Sequence, residues 1–218
     1  MTVSQKSLDM IIGFEVTSQK YYEKSLIHPT FPKGDSGCTI GIGYDIGYNT
    51  KSQVQSDWEG KILQPEIDRL KTVAGIKGQN AKEVLPTIID ISIPFKEAKE
   101  VFIEKSMVRF AKMTSMAYKG VEELEPDAQG ALLSLVYNRG SSTYYEPSDS
   151  SDSGRRKEMH NIIPLVAAKD YTGIAGEIRA MKRLWGSNMQ GLLNRRDDEA
   201  GMVENSVREY TEEEKINL

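Results

Sequence analysis

The sequence has few cysteines and histidines and lacks long apolar runs. It has one cysteine and two histidines among 218 residues, so an intramolecular disulfide bond is impossible. His28 and His160 lie far apart, without histidine, cysteine or aspartate neighbours at ligand spacing. Zinc is therefore not expected, nor is any other metal or cofactor. The apolar runs are far too short to cross a bilayer, so no membrane span is expected.

The chain also has no excess of positive charge. The chain carries 28 basic and 32 acidic residues, for a net charge of −4. No basic stripe stands out, which argues against a nucleic-acid partner. We expect the short basic clusters to be solvated helix faces, because each has acidic neighbours or lies on a predicted helix. These clusters are Arg155–Lys157, Lys182–Arg183 and Arg195–Arg196.

The most informative feature that is present is an acidic residue on an apolar helix face. Leu8, Ile11, Ile12 and Val16 recur at helical spacing and predict a helix over residues 7–22. Glu15 follows Ile11 and Ile12 by four and three residues, so it shares their face. A carboxyl in such surroundings is costly to ionise and can stay protonated near neutral pH, as a general acid must. The alternative is a carboxylate at the helix edge that reaches water.

A glycine-rich segment follows this helix. Residues 28–37 predict a long turn, and in residues 39–47 Thr, Ile and Tyr alternate with Gly, which predicts a short strand that something approaches closely. Gly41 and Gly43 do not complete a dinucleotide fingerprint, because Ile46 stands where the third glycine is needed. Cys38 has no histidine in a partner motif, so a small half-buried thiol is expected and not a nucleophile.

Three motifs in order resemble the phage-type lysozymes, or muramidases. The first is Glu15 followed by Asp35 and the Thr-Ile-Gly-Ile-Gly run that starts at Thr39. The second is the stretch 127–140, which resembles the family's central buried helix and ends in Tyr137-Asn138-Arg139-Gly140. The third is Trp185 followed by Gly-Leu-Leu-Asn-Arg-Arg-Asp-Asp-Glu at 191–199. Together they span residues 14–199, and the order makes the resemblance specific.

Two departures from the common pattern point to the pesticin-like branch of that family, which consists of lysozyme-like toxins. Tyr44-Asp45 stands where a histidine is usual, and the stretch between Glu15 and Thr39 is longer than usual. In the pesticin-like branch the second carboxylate follows the threonine, which implies Asp45 here. In the ordinary branch it precedes the threonine, which implies Asp35.

Glycoside hydrolysis needs one protonated carboxyl that gives its proton to the leaving oxygen and one ionised carboxylate. Glu15 suits the first role, and Asp45 or Asp35, on a wetter hairpin, suits the second. Thr39 can orient a water molecule. The alternative is that each aspartate is a plain turn residue and Thr39 a plain strand residue. Substrate contacts are expected from Tyr44, Tyr137 and Asn138, although either tyrosine could equally be a core residue.

The resemblance implies a mostly helical α+β, lysozyme-like fold in one catalytic domain over residues 1–218. A small hairpin lobe would span about 24–50, a larger helical lobe the rest, and the cleft would lie between them. The serine-rich segment at about 141–154 is expected to be a mobile loop. Helices are predicted near residues 53–73 with a break at Pro65, over 94–118, and over 127–138.

The implied activity is hydrolysis of the β-1,4 bond between N-acetylmuramic acid and N-acetylglucosamine in peptidoglycan. Two alternatives stay open: a non-catalytic peptidoglycan-binding module, and a lytic transglycosylase, which needs one acid only. The first six residues lack the pattern of a signal peptide, so we expect synthesis in the cytoplasm and action on the wall or periplasm after release or delivery. Such a protein would be a phage endolysin or a delivered toxin, and a toxin could have an immunity or inhibitor protein as partner.

Overall fold

The computed structural model describes residues 1–147 and 152–218, and the side chains of 152 and 153 are outside the description. The chain divides into two compact units. We call Met1–Phe14 with Met107–Leu218 the first unit, and Glu15–Ser106 the second unit. The predicted small lobe, residues 24–50, lies inside the second unit. The prediction of one catalytic domain over the whole chain stays a prediction.

Helices dominate the described part of the chain. The α-helices are α1 Gln5–Val16, α2 Gln19–Ser25, α3 Lys51–Trp58, α4 Gln64–Thr72, α5 Gly78–Val84, α6 Phe95–Val101, α7 Val108–Ala117, α8 Pro126–Arg139, α9 Lys157–Ala167, α10 Tyr171–Ala180 and α11 Gln190–Glu204. Short 3-10 segments cover Ile46–Tyr48, Leu85–Thr87, Val121–Glu123, Asp152–Arg156, Met181–Leu184 and Glu212–Glu214. A π-helical stretch, Phe102–Met107, joins α6 to α7.

The strands form two antiparallel pairs. They are β1 Thr2–Ser4, β2 Thr39–Ile40, β3 Tyr44–Asp45 and β4 Lys215–Asn217. β1 pairs with β4, with Val3 opposite Ile216, and β2 pairs with β3. The mostly helical α+β class is therefore confirmed, whereas the lysozyme-like fold stays a prediction.

The helix predicted over residues 7–22 is broken in two. α1 ends at Val16 because Thr17 adopts a left-handed backbone conformation, with φ of 62°, which an α-helix cannot continue. Ser18 then starts α2, since its hydroxyl accepts a hydrogen bond from the Tyr21 amide at 3.1 Å. The break places Glu15 in the last turn of α1.

Other predicted helix features are confirmed. Pro65 lies in the first turn of α4, where its missing amide hydrogen costs nothing. The predicted helix over 94–118 exists, but the π-helical stretch Phe102–Met107 interrupts it. The predicted helix over 127–138 is α8.

The core of the first unit surrounds α8, in which Pro126 through Val136 are all buried. This helix packs closely on α1, because a Cβ atom at Gly130 would lie 2.0 Å from the Ser7 hydroxyl oxygen. Gln129 fixes its start, accepting from the Thr2 amide at 2.9 Å and donating to the Leu124 carbonyl at 2.7 Å. Apolar side chains from α9, α10 and α11 complete the cluster, among them Met159, Ile162, Ile174, Ile178 and Val203.

The second unit has its own core. Tyr22 of α2 stacks edge-on against Phe95 of α6, with ring centroids 5.3 Å apart, and its hydroxyl donates to the Ile93 carbonyl at 2.8 Å. Trp58 of α3 is buried beside the β2–β3 hairpin. The hairpin is therefore anchored within a packed unit of its own.

The predicted mobile loop at 141–154 lies partly outside the described residues. The expected solvation of Arg195 and Arg196 is wrong, because both side chains are buried in the first unit. Burial is possible here because their charges meet the buried carboxylate of Glu199.

Candidate active site

The hairpin of the second unit brings two of the predicted residues together. Thr39 on β2 lies directly opposite Asp45 on β3, and both side chains are partly exposed. The turn between them depends on Gly41 and Gly43, whose φ values are 56° and 66°. A Cβ atom at Gly41 would also come within 3.1 Å of the Trp58 ring. The hairpin thus has a tight turn that packs against the Trp58 ring.

The carboxylate of Asp45 is held by backbone amides. Gly37 donates to both oxygens, at 3.0 and 3.1 Å, and Gly47 donates to Oδ1 at 2.9 Å. Gly37 must be glycine for this approach, because a Cβ atom there would lie 2.6 Å from Oδ1 of Asp45. Asp45 therefore joins the segment before β2 to the segment after β3, and it also caps the 3-10 segment that starts at Ile46.

Burial sets the electrostatics of this hairpin. It raises the pKa of the Asp45 carboxyl above its ordinary value, against the opposing effect of the two glycine amides and of the Lys77 charge. Cys38, next to Thr39, is fully buried, and its thiol hydrogen bonds to the Ala81 carbonyl at 3.4 Å. Burial, followed by the nearby Asp45 carboxylate, raises the pKa of Cys38 to about 11. Cys38 is thus an inert thiol, buried more fully than the sequence predicts.

Asp35 differs from Asp45 in almost every respect. Asp35 is exposed, and its backbone carbonyl accepts a hydrogen bond from the Tyr48 hydroxyl at 3.3 Å. Within residues 1–147 and 152–218, its carboxylate has no hydrogen bond. Asp35 is thus accessible but not oriented, whereas Asp45 is oriented and half-buried.

Glu15 belongs to the same unit as the hairpin. It lies in the last turn of α1 and is partly exposed, while its neighbour Val16 is buried with 2% of its surface accessible. The left-handed Thr17 follows immediately. Glu15 is thus a partly exposed acidic residue at the end of α1.

The expected substrate-binding residues are placed differently from one another. Tyr44 is a core residue, 4% exposed, with its ring edge-on against Trp58 and its hydroxyl donating to Asp57 at 2.9 Å. Tyr137, at the end of α8 in the first unit, is partly buried against Phe110. Asn138, the next residue, is exposed. The core alternative therefore describes Tyr44.

A buried ionic cluster in the first unit was missed by the sequence interpretation. Oε1 of Glu199 accepts hydrogen bonds from the Ser134 hydroxyl at 2.6 Å, from Arg196 at 2.7 Å and from Arg195 at 3.2 Å. All four side chains are buried. The signal was the spacing of Arg195 and Arg196 four and three residues before Glu199 on one helix, which favours ion pairs.

In residues 1–147 and 152–218, no three His, Cys, Asp or Glu side chains are grouped so that they could hold a metal ion. None of the helices in those same residues has both the length and the apolarity that crossing a membrane requires.

Comparison with known families gives a match over the first part of the chain. A family model described as a domain of unknown function, DUF8812, matches residues 11–143, more than half of the chain. The chain belongs to the DUF8812 family. The matched region includes Glu15, the β2–β3 hairpin and α8. No curated protein matches the sequence.

Proposed function

We propose that this DUF8812 chain is a muramidase that hydrolyses the β-1,4 bond between N-acetylmuramic acid and N-acetylglucosamine in peptidoglycan. The observation that carries the proposal is the cross-strand pair of Thr39 and Asp45 on a rigid hairpin, in the same compact unit as Glu15. These residue types and their order are those of the lysozyme resemblance.

Glu15 acts as the general acid in this proposal. It lies in the last turn of α1 and is partly buried. Such a carboxyl protonates the glycosidic oxygen as the bond to the leaving sugar breaks. A general acid of this kind contributes about a hundredfold or more to the rate.

Asp45 acts as the second carboxylate. The backbone amides of Gly37 and Gly47 hold both oxygens of Asp45. The carboxylate therefore keeps one orientation as charge develops on the sugar ring. The Thr39 hydroxyl, on the facing strand, positions the attacking water molecule.

One observation favours a second candidate, the lytic transglycosylase. The same amide bonds give Asp45 a sufficient structural role as a cap, so the hairpin carries a carboxylate that folding alone explains. A reaction with Glu15 as its one acid would then release an anhydro sugar in place of a reducing end.

Digestion of purified peptidoglycan with mass analysis of the products tests the proposal. A muramidase lowers the turbidity and releases fragments with reducing N-acetylmuramic acid, whereas a transglycosylase releases 1,6-anhydro fragments. Binding without release would indicate the non-catalytic module. The anomer of the first product then separates retention from inversion.

The remaining expectations belong to the same proposal. Acting on the wall, the protein would be an endolysin or a delivered antibacterial toxin, and as a toxin it would have a cognate immunity protein as partner. With a net charge of −4, binding to an anionic wall must come from contacts at the site.

A further inference from the structure

A pocket in the first unit is lined mainly by arginines. It encloses about 260 Å³, which is several times the volume of about 30 Å³ that one water molecule occupies in the liquid. Its walls come from the end of α8, from the segment that precedes α9, and from the stretch that leads into α11. The lining residues are Asn138, Arg139, Arg155, Arg156, Trp185 and Leu192.

Two of these arginines make no ion pair with a described carboxylate. Arg139 donates to the Arg155 backbone carbonyl at 2.5 Å, and its Nε atom is buried without a hydrogen-bond partner among the described residues. Arg156 donates to the Arg139 carbonyl at 2.7 Å and to the sulfur of Met159 at 3.1 Å. Among the described residues, each guanidinium is thus held in place by neutral acceptors, which orient it without an ion pair.

Two described carboxylates of the first unit are already engaged in ion pairs. Glu158 pairs with Arg183 at 2.5 Å, and Glu199 pairs with Arg195 and Arg196. Burial, followed by the charges of Arg156 and Arg196, lowers the pKa of Arg139 to about 10. The pocket therefore concentrates positive charge in a partly desolvated place, which costs free energy unless an anion enters.

The geometry fixes how such an anion would be met. The guanidinium of Arg139 lies over the Trp185 ring, 5.1 Å from its centroid, and this contact limits its rotation. Arginine presents donors in a planar fork that matches the oxygens of carboxylate and phosphate groups. The exposed Asn138 amide adds a neutral donor at the rim.

We propose that this arginine pocket is an oxyanion-binding site that takes a phosphate or carboxylate group through Arg139 and Arg156. The inference does not depend on the proposed catalytic step, since every lining residue belongs to the first unit and, apart from the expected substrate contact Asn138, none was assigned to the muramidase site. A ligand that binds the folded state must also raise its stability.

Thermal unfolding with added anions tests the site. The purified full-length chain is titrated with inorganic phosphate and, separately, with succinate, against sodium chloride at equal ionic strength. We expect a saturable rise in Tm with at least one oxyanion and little change with chloride. Phosphate acting more strongly assigns a phosphate-bearing ligand, and succinate acting more strongly assigns a carboxylate-bearing one.

Two variants and a matched control locate the effect. Arg156→Gln and Arg139→Gln should each weaken anion binding at least about tenfold, because each removes one of the two guanidinium groups that bind the anion. Arg179→Gln should leave binding unchanged, since Arg179 is an exposed arginine of the same unit that pairs with Glu204. If Arg139→Gln does not fold, Arg156→Gln alone decides the question.

Three outcomes would overturn the proposal. One is the absence of any Tm rise beyond that of chloride. Another is unchanged anion binding in Arg156→Gln. The third is an equal loss in Arg179→Gln, which would indicate general charge screening. None of them bears on peptidoglycan cleavage, so the muramidase proposal stands or falls separately.

Discussion

The two compact units hold their buried carboxylates in different ways. In the first unit, Glu199 has no exposed surface and is neutralised by the side chains of Arg195 and Arg196. In the second unit, Asp45 is only partly buried, and the partners that hold it are backbone amides of Gly37 and Gly47. One carboxylate is sealed inside a core, and the other stays partly exposed to solvent.

The difference indicates which charge belongs to folding and which is available for chemistry. A buried carboxylate paired with arginines cannot give up its charge without exposing theirs, so it fits a structural role. A carboxylate held mainly by amides depends less on a counter-charge, and its oxygens stay aligned for a developing positive charge. Variants that break each arrangement separately should therefore affect different measurements.

The largest effect is expected from Glu199→Gln. The change leaves two buried guanidinium groups without a compensating charge, and the free energy of unfolding should fall by about 3–5 kcal/mol. Chemical denaturation measures it. Glu204→Gln on the same helix is the matched control, because its pair with Arg179 is about 40% exposed on both sides and should contribute no more than about 1 kcal/mol. Equal losses in the two variants would contradict a structural role for Glu199.

Glu15→Gln should remove function and spare the fold. The amide keeps the shape of the side chain but has no acidic proton to transfer, so peptidoglycan cleavage should fall at least about a hundredfold. Turbidity assays measure activity, and the midpoint of thermal unfolding reports folding. Glu23→Gln, an exposed position on α2, should keep full activity. Near-normal cleavage by Glu15→Gln would end the proposed mechanism.

The choice between Asp45 and Asp35 comes next in size. Asp45→Asn should lose most of the activity and also some stability, because the bonds from Gly37 and Gly47 lose their charged acceptor, worth about 1–3 kcal/mol together. Asp35→Asn should keep most of both, since its carboxylate is exposed and makes no hydrogen bond to a described residue.

Measuring cleavage and unfolding on both aspartate variants separates catalysis from capping. Activity lost in Asp35→Asn but kept in Asp45→Asn would return the role to Asp35. A drop in stability for Asp45→Asn with cleavage retained would favour the mechanism with a single acid.

The smallest effect concerns an exposed ion pair of the second unit. The Arg69 guanidinium holds the pKa of Asp90 at about 2, below the ordinary value near 4. A lowered pKa in the fold means stability that is present above about pH 4 and is lost as the pH falls towards 2. In Asp90→Asn and in Arg69→Gln, the free energy of unfolding should therefore depend slightly less on pH within that window. Unchanged acid sensitivity in both would show that the pair contributes nothing.

The sequence predicts the helices well and their interruptions poorly. Apolar spacing locates α1 and α8, but the end of α1 depends on the left-handed conformation of Thr17, which has no strong sequence signal. β1 was not predicted, because three residues carry too little pattern and their partner strand lies near residue 216. Short strands of this kind form only where the tertiary structure brings them together.

The candidate site shows the same limit. Glu15, Thr39 and Asp45 were singled out from the sequence, and the facing positions of Thr39 and Asp45 follow from the hairpin. The bond from Gly37 to Asp45 could not be foreseen, because it depends on how the long turn folds back. The burial of Arg196 was missed because charge alone predicts solvation, and its compensation by Glu199 appears only when the helix is placed.

The buried thiol of Cys38 is an intrinsic probe of how often the structure around the hairpin opens. Cys38 is the one cysteine of the chain, it has no accessible surface, and the next residue, Thr39, begins β2. An alkylating reagent can reach the sulfur only when the hairpin opens, and only the thiolate reacts. The rate at which the whole protein is alkylated therefore reports how often this one hairpin opens, without any introduced label.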